Sequence, residues 1–354
     1  PVQPWTSGNY RAVVPGNSQE IDLYVSAESA ITNIVQLRPA GNNGRFQDFE
    51  RSRKNADYII ITNAWLRDGA QQYANFRKLT GFSPMVVEVQ ELSDQFGQGV
   101  AKHPEAIRRF LRLAYQRWDL KPRYAFFMGK GIKYTSTRNN QALAQRSLVP
   151  PMGEPASDNL YAWNLLGDGK QHIAMGRLAA ENNQQVLDYL AKMQAHVSGG
   201  QGLWRKRFLH LGGGNTAAEQ LTLASYLNNF KRHAEDSLMG GLVVSLFKNS
   251  SAPIQISQGD SIQNLINNEG VSVITIFGHG SGQGFDQNID QIETYTNQGR
   301  YFMLIANSCF TGDLFTPQRL VSEDFVLTPN KAALGFLAYG APGISSLMSV
   351  YADT

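Results

Sequence analysis

VSVITIF, residues 271–277, is the most continuous β-branched run in the chain, and it ends in Gly278-His279-Gly280-Ser281-Gly282. A second apolar run, YFMLIA at residues 301–306, ends in Asn307-Ser308-Cys309-Phe310. Short apolar runs bounded by glycine and polar residues are typical of strands buried in a parallel sheet. The two runs therefore predict buried strands, each followed by a polar segment capable of chemistry.

His279 and Cys309 follow these two predicted strands by two and three residues. Catalytic groups of open parallel sheets lie beyond the carboxyl ends of the strands. The chain between them is long enough for one crossover to a parallel neighbour. Because neighbouring strands are about 4.8 Å apart, we expect the two side chains to approach within one or two side-chain lengths.

The residue types suit each other chemically. A cysteine is nucleophilic as its thiolate, and a nearby imidazole favours that form and can donate a proton to a leaving amine. The Gly280 N–H is suited to binding a developing oxyanion. The pattern predicts a cysteine peptidase site with Cys309 as nucleophile and His279 as acid/base. Two plainer interpretations stay open: Cys309 as apolar core filler and His279 as a turn residue.

The rest of the chain from residue 57 alternates between apolar strands and helical patterns, which predicts an α/β fold with a parallel sheet covered by helices. The predicted strands are Asp57–Thr62, Met85–Val89, Tyr124–Met128, His172–Met175, Phe208–Leu211, Leu242–Phe247, Val271–Phe277, Tyr301–Ala306 and Ala332–Leu337. The predicted helices include one ending at Leu79, Pro104–Trp118, Asn182–Val197, Ala217–Ala234 and Asp260–Asn267.

Three regions are predicted. Residues 1–55 contain short β-type segments separated by Gly, Pro and Asn, typical of the end of a preceding β-domain plus a linker. These segments are Tyr10–Val14, Glu20–Val25 and Ile31–Leu37. Residues 56–200 and 201–354 form two α/β subdomains joined at the glycine-rich segment 199–202, and residues 129–155 are predicted to be a long polar loop.

Composition excludes several classes of function. Hydrophobic residues make up 42% of the chain and charged residues 17%, with a net charge of +3. This small net charge does not indicate the basic patch of a nucleic-acid-binding protein. The sequence contains no run of 18 apolar residues, so it predicts no membrane span. A single cysteine excludes a disulfide and a cysteine-based zinc site. The first residues lack a signal-peptide pattern, and a start at Pro1 suggests a processed or excised chain.

Weaker candidates have turn-like alternatives. Gly212–Asn215 follows a strand and opens a helix, so it can cradle an anion, but it lacks the Gly-x-Gly-x-x-Gly order and a later acid, which favours a tight turn. Met128–Gly131 lacks Walker spacing. Gly167–Gly169 reads as a turn or as part of a calcium loop. Asp158 and Asp313 are candidates for orienting groups near the rim, and the five remaining histidines show no metal-ligand spacing.

The segments at the ends of these two predicted strands resemble the gingipain family of cysteine peptidases, which has a caspase-type fold. The matching segments are Phe277–Gly280 and Ala306–Asp313, together with upstream segments in the same order: Asp57–Asn63, Pro104–Trp118, Ser157–Tyr161 and Ile173–Leu178. Within that family, Phe208–Gln220 and Ser322–Leu334 are similar to the PorU-type sortases of the bacterial type IX secretion system.

The resemblance implies a caspase-like fold in two subdomains and a protein or peptide substrate. It implies removal of a C-terminal sorting signal at the outer-membrane surface or outside the cell. The acyl-enzyme on Cys309 would pass to water or to a lipopolysaccharide amine, with other secretion-system proteins as partners. No cofactor is required, although a structural calcium ion is consistent with the family.

The sequence also departs from the arginine-specific members. Their specificity pocket has an acid in the segment matching Asn215–Gln220, where Glu219 is the only acid, so the resemblance assigns Glu219 to substrate binding. The matching pocket wall, Ala338–Met348, has no tryptophan. The chain continues for 45 residues after Cys309, and we expect the last helices of the family domain to be missing.

Two other functions remain open at this point. One is a secretion-machinery component with the same fold and an inactive site, which the unusual pocket wall favours. The other is a nucleotide-binding module that uses the Gly212–Gly214 turn. Slow alkylation of Cys309 would favour the first, and a thermal shift with nucleotides the second.

Overall fold

The computed structural model describes residues 2–4, 6–14, 16, 26–30, 44–50 and 56–353. Residues 1–44 and 45–354 form two compact units. In the first unit, strands β1 (Val2–Pro4) and β2 (Tyr10–Ala12) pair as an antiparallel hairpin. The predicted segments Glu20–Val25 and Ile31–Leu37 lie outside the described residues.

The first sheet of the second unit has four parallel strands in the order β4-β3-β5-β6. They are β3 (Tyr58–Thr62), β4 (Pro84–Glu88), β5 (Tyr124–Met128) and β6 (Ala174–Leu178). The central strand β3, YIIIT, is buried along its whole length. Full burial on both faces explains why its sequence does not alternate between apolar and polar residues.

Helices cover both faces of this sheet. They are α1 (Arg67–Leu79), α2 (Val89–Phe96), α3 (Pro104–Arg117), α4 (Tyr134–Thr137), α5 (Gln141–Arg146) and α6 (Asn183–Ser198). Helix α3 packs with Ile59 and Ile61 on one face, whereas Ile60 packs with α1 and α6 on the other. Burial of each such isoleucine contributes about 1.5–3 kcal/mol to folding.

The second sheet has five parallel strands in the order β13-β12-β9-β7-β8. They are β7 (Arg207–Gly212), β8 (Leu242–Phe247), β9 (Val273–Phe277), β12 (Phe302–Asn307) and β13 (Ala333–Ala338). A small hairpin of β10 (Gly280–Ser281) and β11 (Gly284–Phe285) follows β9 directly.

The helices around this sheet are α7 (Ala217–Ala234), α8 (Gly259–Asn264), α9 (Val321–Leu327) and α10 (Ser345–Asp353). Ile274 and Ile276 face one core cluster, and Phe277 faces a second cluster on the opposite side. This packing confirms the predicted α/β fold, in which a parallel sheet is buried on both faces.

Buried lysines connect the two halves of the second unit. Lys130 follows β5, and its ammonium contacts the Glu323 carboxylate of α9 at 2.5 Å, with both side chains almost fully buried. Lys192 of α6 donates to the carbonyls of Val326 and Thr328 at the end of α9. These contacts place both sheets in one compact unit, and the division at residues 55 and 200 stays a prediction.

The prediction that residues 129–155 form one long polar loop is wrong. It contains α4 and α5, and Leu148 and Val149 are buried in the cores of the first sheet. The sequence patterns also missed α2, α9 and α10. Among the described residues, no helix combines the length and the apolar character needed to cross a bilayer.

Candidate active site

His279 and Cys309 lie at matching positions on the carboxyl edge of the second sheet. Strands β9 and β12 are neighbours, and Phe277 is registered opposite Asn307. His279 and Cys309 each lie two residues beyond this pair. Strand β12 ends at Asn307, one residue later than predicted, so Cys309 and His279 each lie two residues after the end of their strands.

His279 is held by a carboxylate. Its Nε2 lies 2.8 Å from Oε1 of Glu219, and the imidazole keeps half of its side-chain surface exposed. A carboxylate on one ring nitrogen fixes the orientation of the ring. Nδ1 is therefore the nitrogen left for proton transfer.

The position of Glu219 follows from how α7 begins. Thr216 is the N-cap of this helix, and its hydroxyl accepts the N–H of Glu219. The second carboxylate oxygen of Glu219 accepts the N–H of Asn215 at 2.7 Å. The reciprocal bonds resemble a capping box and place Glu219 in the first turn of the helix, beside the sheet edge. Both of its oxygens are thus engaged within the protein.

Cys309 lies in a turn directly after β12 and is neither sealed in the core nor fully exposed. Its Sγ accepts the backbone N–H of Gly343 at 3.4 Å. Gly343 precedes α10, and a backbone donor of this kind stabilises negative charge on sulfur. The next residue, Phe310, has a left-handed backbone with φ of 58°.

Gly280 lies against the turn that carries Cys309. A Cβ on Gly280 would lie 2.7 Å from Cγ2 of Thr311 and 2.9 Å from Cβ of Ser308, which explains why a glycine occupies this position. In the hairpin, the Asp286 N–H donates to the His279 carbonyl. Gly280 and Phe285 therefore form a non-hydrogen-bonded pair, which leaves the Gly280 N–H outside the hairpin ladder.

An open groove of about 330 Å³ lies on the hairpin side of His279. Its lining includes Ile254, Ser281 and Asp290. The Asp290 carboxylate accepts the N–H of Phe285, and burial raises the pKa of Asp290 to about 7, against the opposing effect of this hydrogen bond. Asp290 therefore supports the hairpin that carries Gly280.

The Gly212–Gly214 turn, one of the candidate anion sites, is filled by the protein's own carboxylate. Asp286 accepts the Gly214 N–H at 2.8 Å and lies so close to Gly213 that a Cβ there would meet its oxygens at 2.2 Å. The buried ammonium of Lys248 lies 3.8 Å from the same carboxylate. With this turn occupied, the structure disfavours the nucleotide-binding hypothesis.

One apolar cluster supports the three segments of the site. It contains Leu223, one turn after Glu219 on α7; Phe277, two residues before His279; and Met348 on α10. All three side chains are buried. The distances among Glu219, His279 and the Gly343 N–H therefore depend on this shared packing.

The other acids singled out in the sequence have different surroundings. Asp158 forms a bidentate pair with Arg177 of β6 in the first sheet, with both N–O distances at 2.7 Å. Asp313 belongs to the Cys309 turn, where its N–H donates to the Phe310 carbonyl. Across the described ranges, no group of three or more His, Cys, Asp or Glu side chains is arranged to hold a metal ion. Carboxylate clustering therefore identifies no set of calcium ligands there.

The resemblance assigns Glu219 to substrate binding, whereas in the structure its carboxylate contacts the imidazole of His279. The pattern Thr216-Ala217-Ala218-Glu219 carries the capping signal that locates this acid at a helix start after β7. The Gly343 N–H had no signal in the sequence, because every non-proline residue carries the same backbone donor.

Comparisons with known proteins identify the family of the chain and its fold. The model of Peptidase family C25 matches residues 51–353. The solved structure titled "Structure of Protease" is 15% identical, with a TM-score of 0.64; the match covers 84% of this chain and 62% of that one. The chain thus spans less than two thirds of that protein. No curated protein matches the chain.

The Arg-specific cysteine proteinase gingipain R (RgpB) is 14% identical, with a TM-score of 0.62; the match covers 90% of this chain and 68% of that one. The complex of the RgpB pro- and mature domains from Porphyromonas gingivalis is also 14% identical, with a TM-score of 0.62, covering 84% and 66%. At these identities, the structural likeness shows the shared fold.

Proposed function

Because the chain belongs to peptidase family C25, the gingipain family of caspase-like cysteine peptidases, we propose that it cleaves peptide bonds through Cys309, His279 and Glu219. Cys309 is the nucleophile, His279 is the acid/base, and Glu219 orients the imidazole. The supporting observation is the 2.8 Å contact between His279 and Glu219, at a sheet edge where Cys309 occupies the matching position on the next strand.

The reaction follows from this arrangement. The Cys309 thiolate attacks the scissile carbonyl carbon, and the C–N bond breaks while protonated His279 gives its proton to the leaving amine. The resulting thioester is then attacked by water or an amine, which loses a proton to the now neutral His279, and the C–S bond breaks to release the Cys309 thiolate. Glu219 keeps the ring oriented throughout.

Two backbone donors support the charges in this scheme. The Gly343 N–H stabilises the thiolate before attack, because it already donates to Sγ. The Gly280 N–H, which lies outside the hairpin ladder next to the Cys309 turn, binds the oxyanion. Removing one such donor typically lowers kcat by about 10²–10³-fold.

The single cysteine makes a direct test straightforward. Iodoacetamide adducts on the intact protein report Cys309 alone, and the denatured chain provides the reference rate. We expect native Cys309 to react at least ~10-fold faster than the denatured chain near neutral pH, and the His279→Ala variant to lose this advantage. Peptide cleavage should disappear in Cys309→Ala while the protein stays folded.

Two results would count against the peptidase. Full cleavage by Cys309→Ala would show that another group is responsible. Native labelling slower than denatured labelling, with no cleavage of any peptide, would instead favour the inactive secretion-machinery component.

At a finer level, we propose that the substrate is a secreted protein with a C-terminal sorting signal, processed at the bacterial cell envelope. The support is the similarity of Phe208–Gln220 and Ser322–Leu334 to PorU-type sortases. The thioester would then pass to water or to an amine such as that of an anionic lipopolysaccharide, with other secretion-system proteins nearby.

This finer proposal is tested with a cargo protein carrying a C-terminal sorting domain, incubated with and without glycinamide as amine acceptor. We expect one cut before the sorting domain, and a product heavier by the condensed amine when glycinamide is present. Cleavage at many internal sites, or cargo left uncut by a protein that cleaves short peptides, would exclude the sortase role.

A further inference from the structure

We propose that Phe310, Ile344 and Leu347 form an apolar ledge that selects an uncharged, apolar substrate side chain next to the scissile bond. The proposal rests on the assignment of Cys309 as nucleophile. It adds the chemical class of the residue that this site accepts.

The residues of the ledge are next to the two backbone segments that meet at the sulfur. Phe310 follows Cys309 directly, and its N–H donates to the Ala341 carbonyl at 3.4 Å. Ile344 follows Gly343, whose N–H donates to the sulfur. The two side chains therefore come from backbone segments that contact each other and the thiol. A peptide whose carbonyl reaches Cys309 must pass over them.

Exposure of these side chains is unusual for such a position. Phe310, Ile344 and Leu347 are 43%, 64% and 65% exposed. Ile344 and Leu347 are three residues apart and are joined by an N–H to carbonyl bond, so they face the same side of the helix start. Exposed apolar side chains on the two segments that contact the sulfur indicate a surface that is covered when substrate binds.

The backbone at Phe310 adds a second observation. Its φ of 58° is in the left-handed region, which is uncommon for a bulky residue and costs on the order of 1 kcal/mol. A glycine would adopt this turn without the cost. The strained turn instead presents a phenyl ring to solvent next to the nucleophile, as expected of a binding residue.

Charges around the sulfur argue against a basic side chain. Residues 339–350 contain no charged residue. Glu219, the acid matched to a specificity pocket by sequence, has its two oxygens on His279 and on the Asn215 N–H. Asp313 is the one acid in the Cys309 turn. A guanidinium placed over the ledge would lose water without gaining a paired carboxylate there.

The test uses peptidyl acyloxymethyl ketones that are identical except for Leu, Arg or Asp next to the warhead. Intact-mass measurement gives the rate of Cys309 alkylation for each probe. We expect the Leu probe to react about 10-fold faster than the Arg probe, in the range that one apolar pocket contact provides. The Phe310→Ala variant, which keeps the Cβ and the strained turn, should reduce the Leu rate.

Variants identify the residues responsible. Ile344→Asp should lower the Leu-to-Arg rate ratio about 10-fold. The matched control, Leu238→Asp, changes an equally apolar residue that is 95% exposed in the turn before β8, and it should leave the ratio unchanged.

Two outcomes overturn the proposal in distinguishable ways. Faster labelling by the Arg probe, lost in Asp313→Asn, would assign recognition to that carboxylate and leave Cys309 as nucleophile. Failure of all three probes, with iodoacetamide labelling no faster than in the denatured chain, would remove the nucleophile assignment and the ledge with it.

Discussion

The two parallel sheets use the polar residues at their carboxyl edges differently. In the first sheet, Asn63 after β3 caps the following turn, and Lys130 after β5 is buried against Glu323. In the second sheet, His279 stays half exposed and Cys309 partly exposed. Both edges therefore gather polar groups, as parallel sheets do. The second leaves an imidazole and a thiol accessible to a substrate.

The comparison teaches that position at a sheet edge is not sufficient for chemistry. A group whose hydrogen bonds are all satisfied inside the protein contributes to stability, whereas a catalytic group must keep one face open. If this distinction is right, variants at the first edge should change stability and variants at the second should change activity.

The largest expected effect is on stability, at Lys130. Lys130→Met leaves the buried Glu323 without its cation and should lower the free energy of unfolding by about 3–5 kcal/mol. Urea denaturation followed by circular dichroism measures it. The double variant Lys130→Met/Glu323→Gln should recover most of the loss, because no buried charge remains. Equal losses in the single and double variants would contradict a role for the ion pair.

The next effect is on activity, at Glu219. Glu219→Gln keeps the shape and an acceptor oxygen for the Asn215 N–H, but removes the charge beside His279. We expect kcat to fall by about 10–100-fold, as for loss of one charge that supports general acid–base catalysis, with KM and unfolding energy nearly unchanged. A rise in KM with kcat unchanged would instead support the substrate-binding role that the resemblance assigns to Glu219.

Gly280 provides a further test of this comparison, because it packs against Thr311 and we propose that its N–H binds the oxyanion. Gly280→Ala places a methyl group against Thr311 and should cost about 1–2 kcal/mol of stability through overpacking, with reduced cleavage. Thr311→Ser removes the nearest methyl and should partly restore both in the double variant. The control Gly200→Ala, where no atom lies within 4 Å of the added Cβ, should behave as wild type.

The last test of the comparison is a pH dependence at Asp290, which lies beside the second edge. Burial raises its pKa to about 7, so the folded state binds a proton that the unfolded state releases near pH 4. Stability should therefore fall as pH rises from about 4 to 7, by at most about 1.4 kcal/mol per pH unit from this group. Asp290→Asn removes that slope, whereas the exposed-site control Asp260→Asn keeps it. Parallel stability curves for wild type and Asp290→Asn would contradict the assignment.

The strands and the rim residues could be predicted from sequence because their signals are local. The strands Tyr124–Met128 and Leu242–Phe247 have the predicted bounds, since a short run of β-favouring residues between polar segments is a local signal. His279 and Cys309 were found because parallel-sheet geometry links the end of a strand to the functional edge. These inferences needed no knowledge of distant contacts.

The remaining features depend on contacts between segments far apart in sequence. Glu219 lies 60 residues before His279, and only the sheet order brings the two together. Lys130 looked like part of a polar loop, because its partner Glu323 lies on a helix that the pattern did not predict. Asp286 inside the glycine turn is a similar case, since the turn alone can also cradle an external anion.

The packing of Met348 restricts which residues near Cys309 can be replaced independently. A Cβ at Gly343 would overlap the Met348 side chain, with a separation of 1.5 Å. Met348 is itself locked against Phe277 beneath the rim. Exposed positions such as Ile344 and Leu347 can therefore vary independently, whereas a side chain at Gly343 requires Met348 to move as well.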